Sequence, residues 1–265
     1  MTLFDAINVR KSVRNYSSAA LTPEEIAKIT EYAENAPQLP ALNGDSEVKI
    51  ISLDGSLRAP GTYGVINGAS TYLVLLHQSS QMSALNAGYF FEHIVLYCTS
   101  LGLGTCWIGG TFKRSDFTAH ISVPADKIID IVSPVGVAAD KLRFRDKLMK
   151  KIANSNSRKP FDSLFFSNEF SEPIKPDTDL VKALDAVRVA PSAKNEQQWR
   201  VSVDGDKVRF YCTNINSHFG AINMGIAICH FEVACKHYGI NGEWQVENAA
   251  PKANNLDYTI TFLLK

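Results

Sequence analysis

Apolar and polar positions alternate along the chain in two periods, and the period changes mark out the elements. The stretch from Thr2 to about Lys11 has helical spacing, and a second helix begins at Thr22. Pro23 sits in its first turn, Glu25 completes a capping box, and Ile26, Ile29 and Ala33 form its apolar face. EVKIISL and STYLVLL then read as strands. From about Met82 to Leu101 apolar residues, among them Leu85, Ile94, Leu96, Cys98 and Leu101, surround the whole helix, which predicts a long, largely buried one. GTCWIGG reads as a turn-flanked strand and DIVSPVGVA as a buried one.

The second half repeats this order. DLVKALDAVRVA is helical, with Leu180, Ala183, Leu184 and Val187 on one face. RVSVDGDKVRFY is a hairpin around Asp204 and Gly205. NMGIAICHFEVACKHYGINGEW is a second long helix with its exit strand, and LDYTITFLL is a final strand. The two long-helix segments superpose without gaps at an offset of 137, which pairs Asn86 with Asn223, Gly88 with Gly225, His93 with His230, Gly102 with Gly239 and Trp107 with Trp244. The loops APQLPALNGD and APSAKNEQQW align at an offset of 154, so the first half carries about 17 extra residues, for which SLRAPGTYGVINGA is the candidate. The expected fold is α+β: two similar lobes, each with a mainly antiparallel sheet and a long helix. Residues 1–160 form the N-terminal lobe with a basic linker, and residues 161–265 the C-terminal lobe.

Charge narrows the function. Lys+Arg and Asp+Glu are 27 each, which argues against a general binder of nucleic acid or membrane surfaces, so any anion site is local. The five cysteines contain no CxxC pair and read as reduced thiols of a cytoplasmic protein. Cys229, His230, Cys235 and His237 lie close in sequence, but their spacing matches no zinc pattern, and no metal is expected. The N-terminus shows no signal-peptide pattern, and the apolar run around TYLVLL is far short of a membrane span.

Three segments carry candidate chemistry. In VRKSVRNY, Arg10, Ser12 and Arg14 alternate with Lys11 between the first two; an extended backbone there makes two guanidiniums and a hydroxyl into a phosphate clamp. The same residues also read as a solvated basic helix end. KLRFR places Lys141, Arg143 and Arg145 at alternate positions, either a second wall of such a site or a solvated linker. GLGTCWIGG lacks the third glycine of a dinucleotide fingerprint and follows a helix, so Gly102 reads as a cap, while Gly109 and Gly110 let a flat ligand approach the backbone. No nucleophile–base pair or carboxylate pair is legible, which fits a protein whose cofactor performs the chemistry.

Together RKSVR, APSAKNEQQW, GLGTCWIGG and VGVAADKLRFR resemble the nitroreductase family of FMN-dependent oxidoreductases. In that family an arginine segment of one chain and a PSxxN loop of the other hold each FMN of a homodimer. Here the first half has the arginine segment and a damaged loop, whereas the second has the intact loop but reads FFSNEFSEPIKP where the arginines should be. The resemblance therefore extends to a branch in which one chain imitates the dimer, with one FMN per chain between the lobes. It implies that Arg10, Ser12 and Arg14 contact the FMN phosphate, ribityl chain and N1/O2 edge, with Lys11 in the same segment. It implies further that Pro191, Ser192, Ala193 and Asn195 line the flavin, with Gln198 and Trp199 anchoring their loop. Ile108, Gly109 and Gly110 are expected to pass near N5, and Lys141, Arg143 and Arg145 to complete the phosphate pocket. Gln198 stands where the family usually has proline, which is expected to loosen the loop. The implied activity is ping-pong hydride transfer from NADH or NADPH to a small-molecule acceptor such as a nitroaromatic or quinone. The alternative is an FMN-binding protein for sensing or storage with little turnover.

Overall fold

The computed structural model describes residues 1–17, 19–42, 45–53, 61–139, 157–167, 170–174, 178–253 and 255–265. The first helix, α1 (Leu3–Val9), is shorter than its spacing predicts. Thr2 and Asp5 form a capping box at its start, and at its end Arg10 already has an extended ψ of 129°. Helix α2 (Pro23–Asn35) begins as expected, with Thr22 Oγ1 accepting from the Glu25 N–H and the Glu25 side chain accepting from the Thr22 N–H.

Strands β1 (Glu47–Ser52) and β2 (Thr71–Gln78) pair antiparallel, and β2 pairs on its other side with β5 (Lys127–Gly136). Central position explains the unbroken apolar run of β2, which is buried from Thr71 to His77. Between β2 and β5 come the long helix α3 (Gln81–Ser100), two two-residue strands β3 (Gly104–Thr105) and β4 (Ile108–Gly109), and a short helix α4 (Arg114–Thr118). GTCWIGG is thus two strands: β3 and β4 each pair with β5, on either side of Cys106 and Trp107. The result is a five-stranded antiparallel sheet. Phe117 of α4 packs edge-on against Tyr72 and Phe112, with ring centres 5.5 Å and 5.3 Å away. Burying each such side chain contributes about 1.5–3 kcal/mol.

The second half holds β6 (Phe165–Ser167), β7 (Glu172–Pro173), α5 (Asp179–Arg188), β8 (Trp199–Asp204), β9 (Lys207–Cys212), α6 (Gly220–His237), β10 (Gly242–Gln245) and β11 (Asp257–Leu264). They build a six-stranded sheet in the order β10-β11-β9-β8-β6-β7, antiparallel apart from the β6–β8 pair. Phe210 of β9, Phe262 of β11 and Trp244 of β10 cluster around Phe231 of α6. His230 Nδ1 of α6 donates to the Ala186 carbonyl at 3.0 Å and fastens α5 to that helix.

The chain divides into two compact units that interleave in sequence. One comprises Met1–Gln38, Asp45–Ser79 and Phe90–Ile152, the other Leu39–Gly44, Ser80–Tyr89 and Ala153–Lys265. Because α3 begins in the second unit, that unit contains the start of both long helices, and there the repeat shows as matching contacts. The Leu39 N–H donates to Asn86 Oδ1 at 2.7 Å, and the Ala193 N–H donates to Asn223 Oδ1 at 3.0 Å. A Cβ on Gly88 would lie 2.2 Å from the Ile222 carbonyl oxygen, and one on Gly225 would lie 2.1 Å from that of Leu85. Leu85 and Ile222 are themselves repeat partners at the offset of 137, so each helix presses a glycine onto the other's equivalent carbonyl.

Candidate functional site

Within the first unit the arginine segment leaves α1 and runs extended. The Val13 N–H donates to the Thr105 carbonyl at 2.8 Å, the Asn67 N–H to the Arg14 carbonyl at 2.9 Å, and the Tyr16 N–H to the Asn67 carbonyl at 2.9 Å. Ser12 therefore lies beside Thr105 in a parallel bridge, and Asn15 beside Asn67. The Tyr16 hydroxyl donates to the Val13 carbonyl at 2.8 Å. Burial above all, aided by the nearby Cys106 and Tyr72, pushes that phenol well above its ordinary range, so it remains a donor.

This path runs Ser12 and Val13 alongside Gly104 and Thr105 of β3, on the same stretch of chain that goes on to β4 and Gly110. Ile108 is buried with its side chain in the hydrophobic core, and its main chain pairs with Val132 of β5. Gly109 pairs with Ile131 of β5. Gly110 has φ of +79°, and among the described residues no atom beyond its chain neighbours lies within 4 Å of where its Cβ would be. The turn thus presents main chain with open space over it, as a flat ligand requires. Arg10 is nearly buried, and its Nε lies 3.9 Å from Oε1 of the wholly buried Glu92. Among the described residues Arg10 Nη1 and Arg14 Nε, both buried, have no hydrogen-bond partner. Lys11 is exposed. Lys141, Arg143 and Arg145 lie outside the described residues.

In the second unit, residues 190–199 form a loop held by its own side chains. A single 3-10 turn spans Ala193–Asn195, and Lys194, Asn195 and Gln197 all have positive φ, at 51°, 57° and 48°. Left-handed backbone at three non-glycine positions persists only where the surroundings fix it. Ser192 Oγ accepts from the Gln197 N–H at 3.0 Å, and the Gln197 side chain bridges Asn195 and Lys159. Asn195 Nδ2 donates to the Ser157 carbonyl at 3.0 Å, while its Oδ1 accepts from Arg158 Nη1 at 3.3 Å. Pro191, Ser192 and Ala193 are half-buried, in keeping with residues that line a site.

Gln198 does the opposite of loosening this loop. It is buried; its Oε1 accepts from Asn223 Nδ2 at 2.7 Å, and its Nε2 donates to Ser217 Oγ at 2.9 Å and to the Asn214 carbonyl at 3.3 Å. An amide can make these bonds and a proline ring cannot. In the damaged twin, Gln38 stands where Ser192 does, and its amide closes on the Ser46 main chain through bonds of 3.0 Å and 3.1 Å.

Sequence reasoning passed over Glu92, Trp107, Arg158, Lys159 and Asn223. Trp107 Nε1 donates to Glu92 Oε2 at 2.7 Å. Arg158 Nη2 donates to the Val189 carbonyl, and Lys159 Nζ to that of Glu196. Burial, and next to it the charge of Arg200, lowers the pKa of Lys159. Glu92 was the one findable in advance, as the sole charge in the apolar stretch NAGYFFEHIVLYC. Among the described residues no group of three or more His, Cys, Asp or Glu is placed to hold a metal ion, and no helix is long and apolar enough to cross a membrane.

A family described as "Putative TM nitroreductase" matches residues 2–235. Among solved structures, that of a putative nitroreductase from Thermotoga maritima is similar over 100% of this chain and 94% of its own, with 19% identity and a TM-score of 0.64. A nitroreductase family protein from Clostridium novyi NT is similar over 53% of this chain and 87% of its own, at 20% identity and a TM-score of 0.43. A nitroreductase with bound FMN from Bacteroides fragilis NCTC 9343 is similar over 54% and 91%, at 17% identity and a TM-score of 0.42. No curated protein matches the chain in sequence. The fold is nitroreductase-like, α+β with two repeated halves, and the family match runs from α1 almost to the end of α6: the chain belongs to the nitroreductase family.

Proposed function

We propose that this protein is an FMN-dependent NAD(P)H oxidoreductase of the nitroreductase type, acting on a small electron acceptor such as a nitroaromatic or quinone. One observation carries the reading: the buried nitrogens Arg10 Nη1 and Arg14 Nε, without a hydrogen-bond partner among the described residues, on the segment that runs beside β3. A buried donor left unbonded costs about 1–3 kcal/mol, and more when charged, so two in five residues call for an anion. A phosphate monoester fits, since arginine donors match its oxygens and its charge. Family membership supports FMN as its bearer.

FMN, when bound, would supply the redox chemistry, hydride transfer between NADH or NADPH and the acceptor. The chain's own part is binding and orientation. Arg10, Ser12 and Arg14 hold the phosphate, ribityl chain and N1/O2 edge, where positive charge tunes the potential. The main chain of Ile108, Gly109 and Gly110 runs along the ring. Pro191, Ser192 and Ala193 line the same cofactor, and Asn195 and Gln198 keep that loop in shape. Lys141, Arg143 and Arg145 complete the phosphate pocket, with Lys11 adding charge at its rim. No side chain is assigned as a catalytic acid or base, and the place of action is the cytoplasm.

The absorption spectrum of purified protein and steady-state NAD(P)H oxidation test this. Flavin bands together with turnover of a nitroaromatic or quinone support the proposal. Flavin bands with no reduction by either nicotinamide would leave a binding protein, and a colourless protein that takes up no added FMN would sink the reading.

A further inference from the structure

Glu92 sits within α3 with its side chain wholly buried, a place where a carboxylate persists only among partners. Its two oxygens face different elements. Oε2 accepts the Trp107 indole N–H at 2.7 Å, and Oε1 lies 3.9 Å from Arg10 Nε. Trp107 immediately precedes β4, and Arg10 opens the arginine segment, so one carboxylate joins both parts of the first unit's half-site. Arg10 meets Glu92 by its Nε edge, while its Nη1 is buried without a hydrogen-bond partner among the described residues. A guanidinium steadied at one edge presents the other to an incoming anion.

We propose that Glu92 is the resident counter-ion of this half-site: it supplies the counter-charge that the buried Arg10 guanidinium needs before the FMN phosphate binds and takes over that role. The inference rests on the FMN reading above and adds to it a residue far from RKSVR in sequence that governs anion affinity. Neutralising Glu92 leaves Arg10 as an unpaired buried cation and destabilises the protein without FMN. The phosphate is then the counter-ion left to Arg10, so FMN restores more stability than it does in the parent chain.

Thermal unfolding of the apoprotein, alone and with FMN or riboflavin (which lacks the phosphate), tests this on the parent chain, Glu92→Gln, Arg10→Met and the double variant. For Glu92→Gln a lower midpoint without ligand is expected, with a larger rise on adding FMN than the parent shows and an unchanged response to riboflavin. The double variant is expected to be no less stable than Arg10→Met alone. If Glu92→Gln does not fold, Glu92→Asp, which keeps the charge, is expected to fold and to respond to FMN and to riboflavin as the parent chain does. An FMN response in Glu92→Gln no larger than the parent's, fully additive effects of the two substitutions, or, where Glu92→Asp stands in, a chain that fails to fold or departs from the parent's FMN response would each overturn the inference alone. A parent chain unresponsive to FMN overturns the FMN reading and this inference with it.

Discussion

Asn223 is where the 190–199 loop meets α6. Its Oδ1 accepts from the Ala193 N–H in a part-buried bond, and its Nδ2 donates to Gln198 Oε1 in a buried one. Asn223→Ala leaves a main-chain donor and an amide oxygen without partners, which should cost about 2–4 kcal/mol; urea unfolding measures it. A second residue-scale effect concerns acid. Burial alone would raise the pKa of Glu247, but Thr261, Arg209 and Lys207 outweigh it and hold the carboxyl at about 2. A carboxylate depressed in the folded state stabilises the protein above the unfolded value of about 4.3, and this is lost as pH falls toward 2. Glu247→Gln is therefore expected to lower urea midpoints at pH 7 and to flatten their decline between about pH 4.3 and 2. Gln198 shows why residue roles were harder to read than residue types. Its partners Asn223, Asn214 and Ser217 lie 16 to 25 positions away, so a comparison with proline in a family motif could not disclose them.

At the scale of elements, the glycine crossing of α3 and α6 makes a sharp prediction. A methyl on Gly225 would sit 2.1 Å from the Leu85 carbonyl oxygen, and main chain cannot step aside as a flexible side chain can. Gly225→Ala should cost about 3 kcal/mol or more, or prevent folding, as judged by unfolding midpoint and soluble yield. Gly239→Ala is the control: its φ of +68° strains any other residue, yet among the described residues nothing beyond its chain neighbours lies within 4 Å of the added carbon, so about 1 kcal/mol is expected. The long helices, the 199–212 hairpin and the α2 capping box were all legible, because period, turn residues and caps are local signals. The end of α1 was not. KSVRN has no helix breaker, and what draws Arg10 and its successors out of the helix is bonding to Thr105 and Asn67, residues distant in sequence.

For the whole molecule, the proposal implies one FMN per chain. Arg14→Ala and Asn195→Ala, though in different units, are both expected to reduce the flavin retained on purification, measured as the ratio of flavin to protein absorbance. Two flavins per chain, or retention untouched by either change, would refute the assignment. The duplication itself was legible in the offset of 137, since it preserves glycines and an asparagine that the fold uses twice. The unequal fate of the two AP loops was legible too, but not what replaced the lost motif, the Gln38 clasp on Ser46. The Gly88–Gly225 crossing has one more consequence. Each copy there meets the equivalent atoms of the other, which is the pattern an isologous interface imposes on identical subunits. Inside a single polypeptide that pattern acts as a lock on divergence: both glycines face the same steric demand, so neither copy can drift at this point. The two AP loops obey no such shared demand, and their sequences have moved apart, APSAKNEQQW in one and APQLPALNGD in the other.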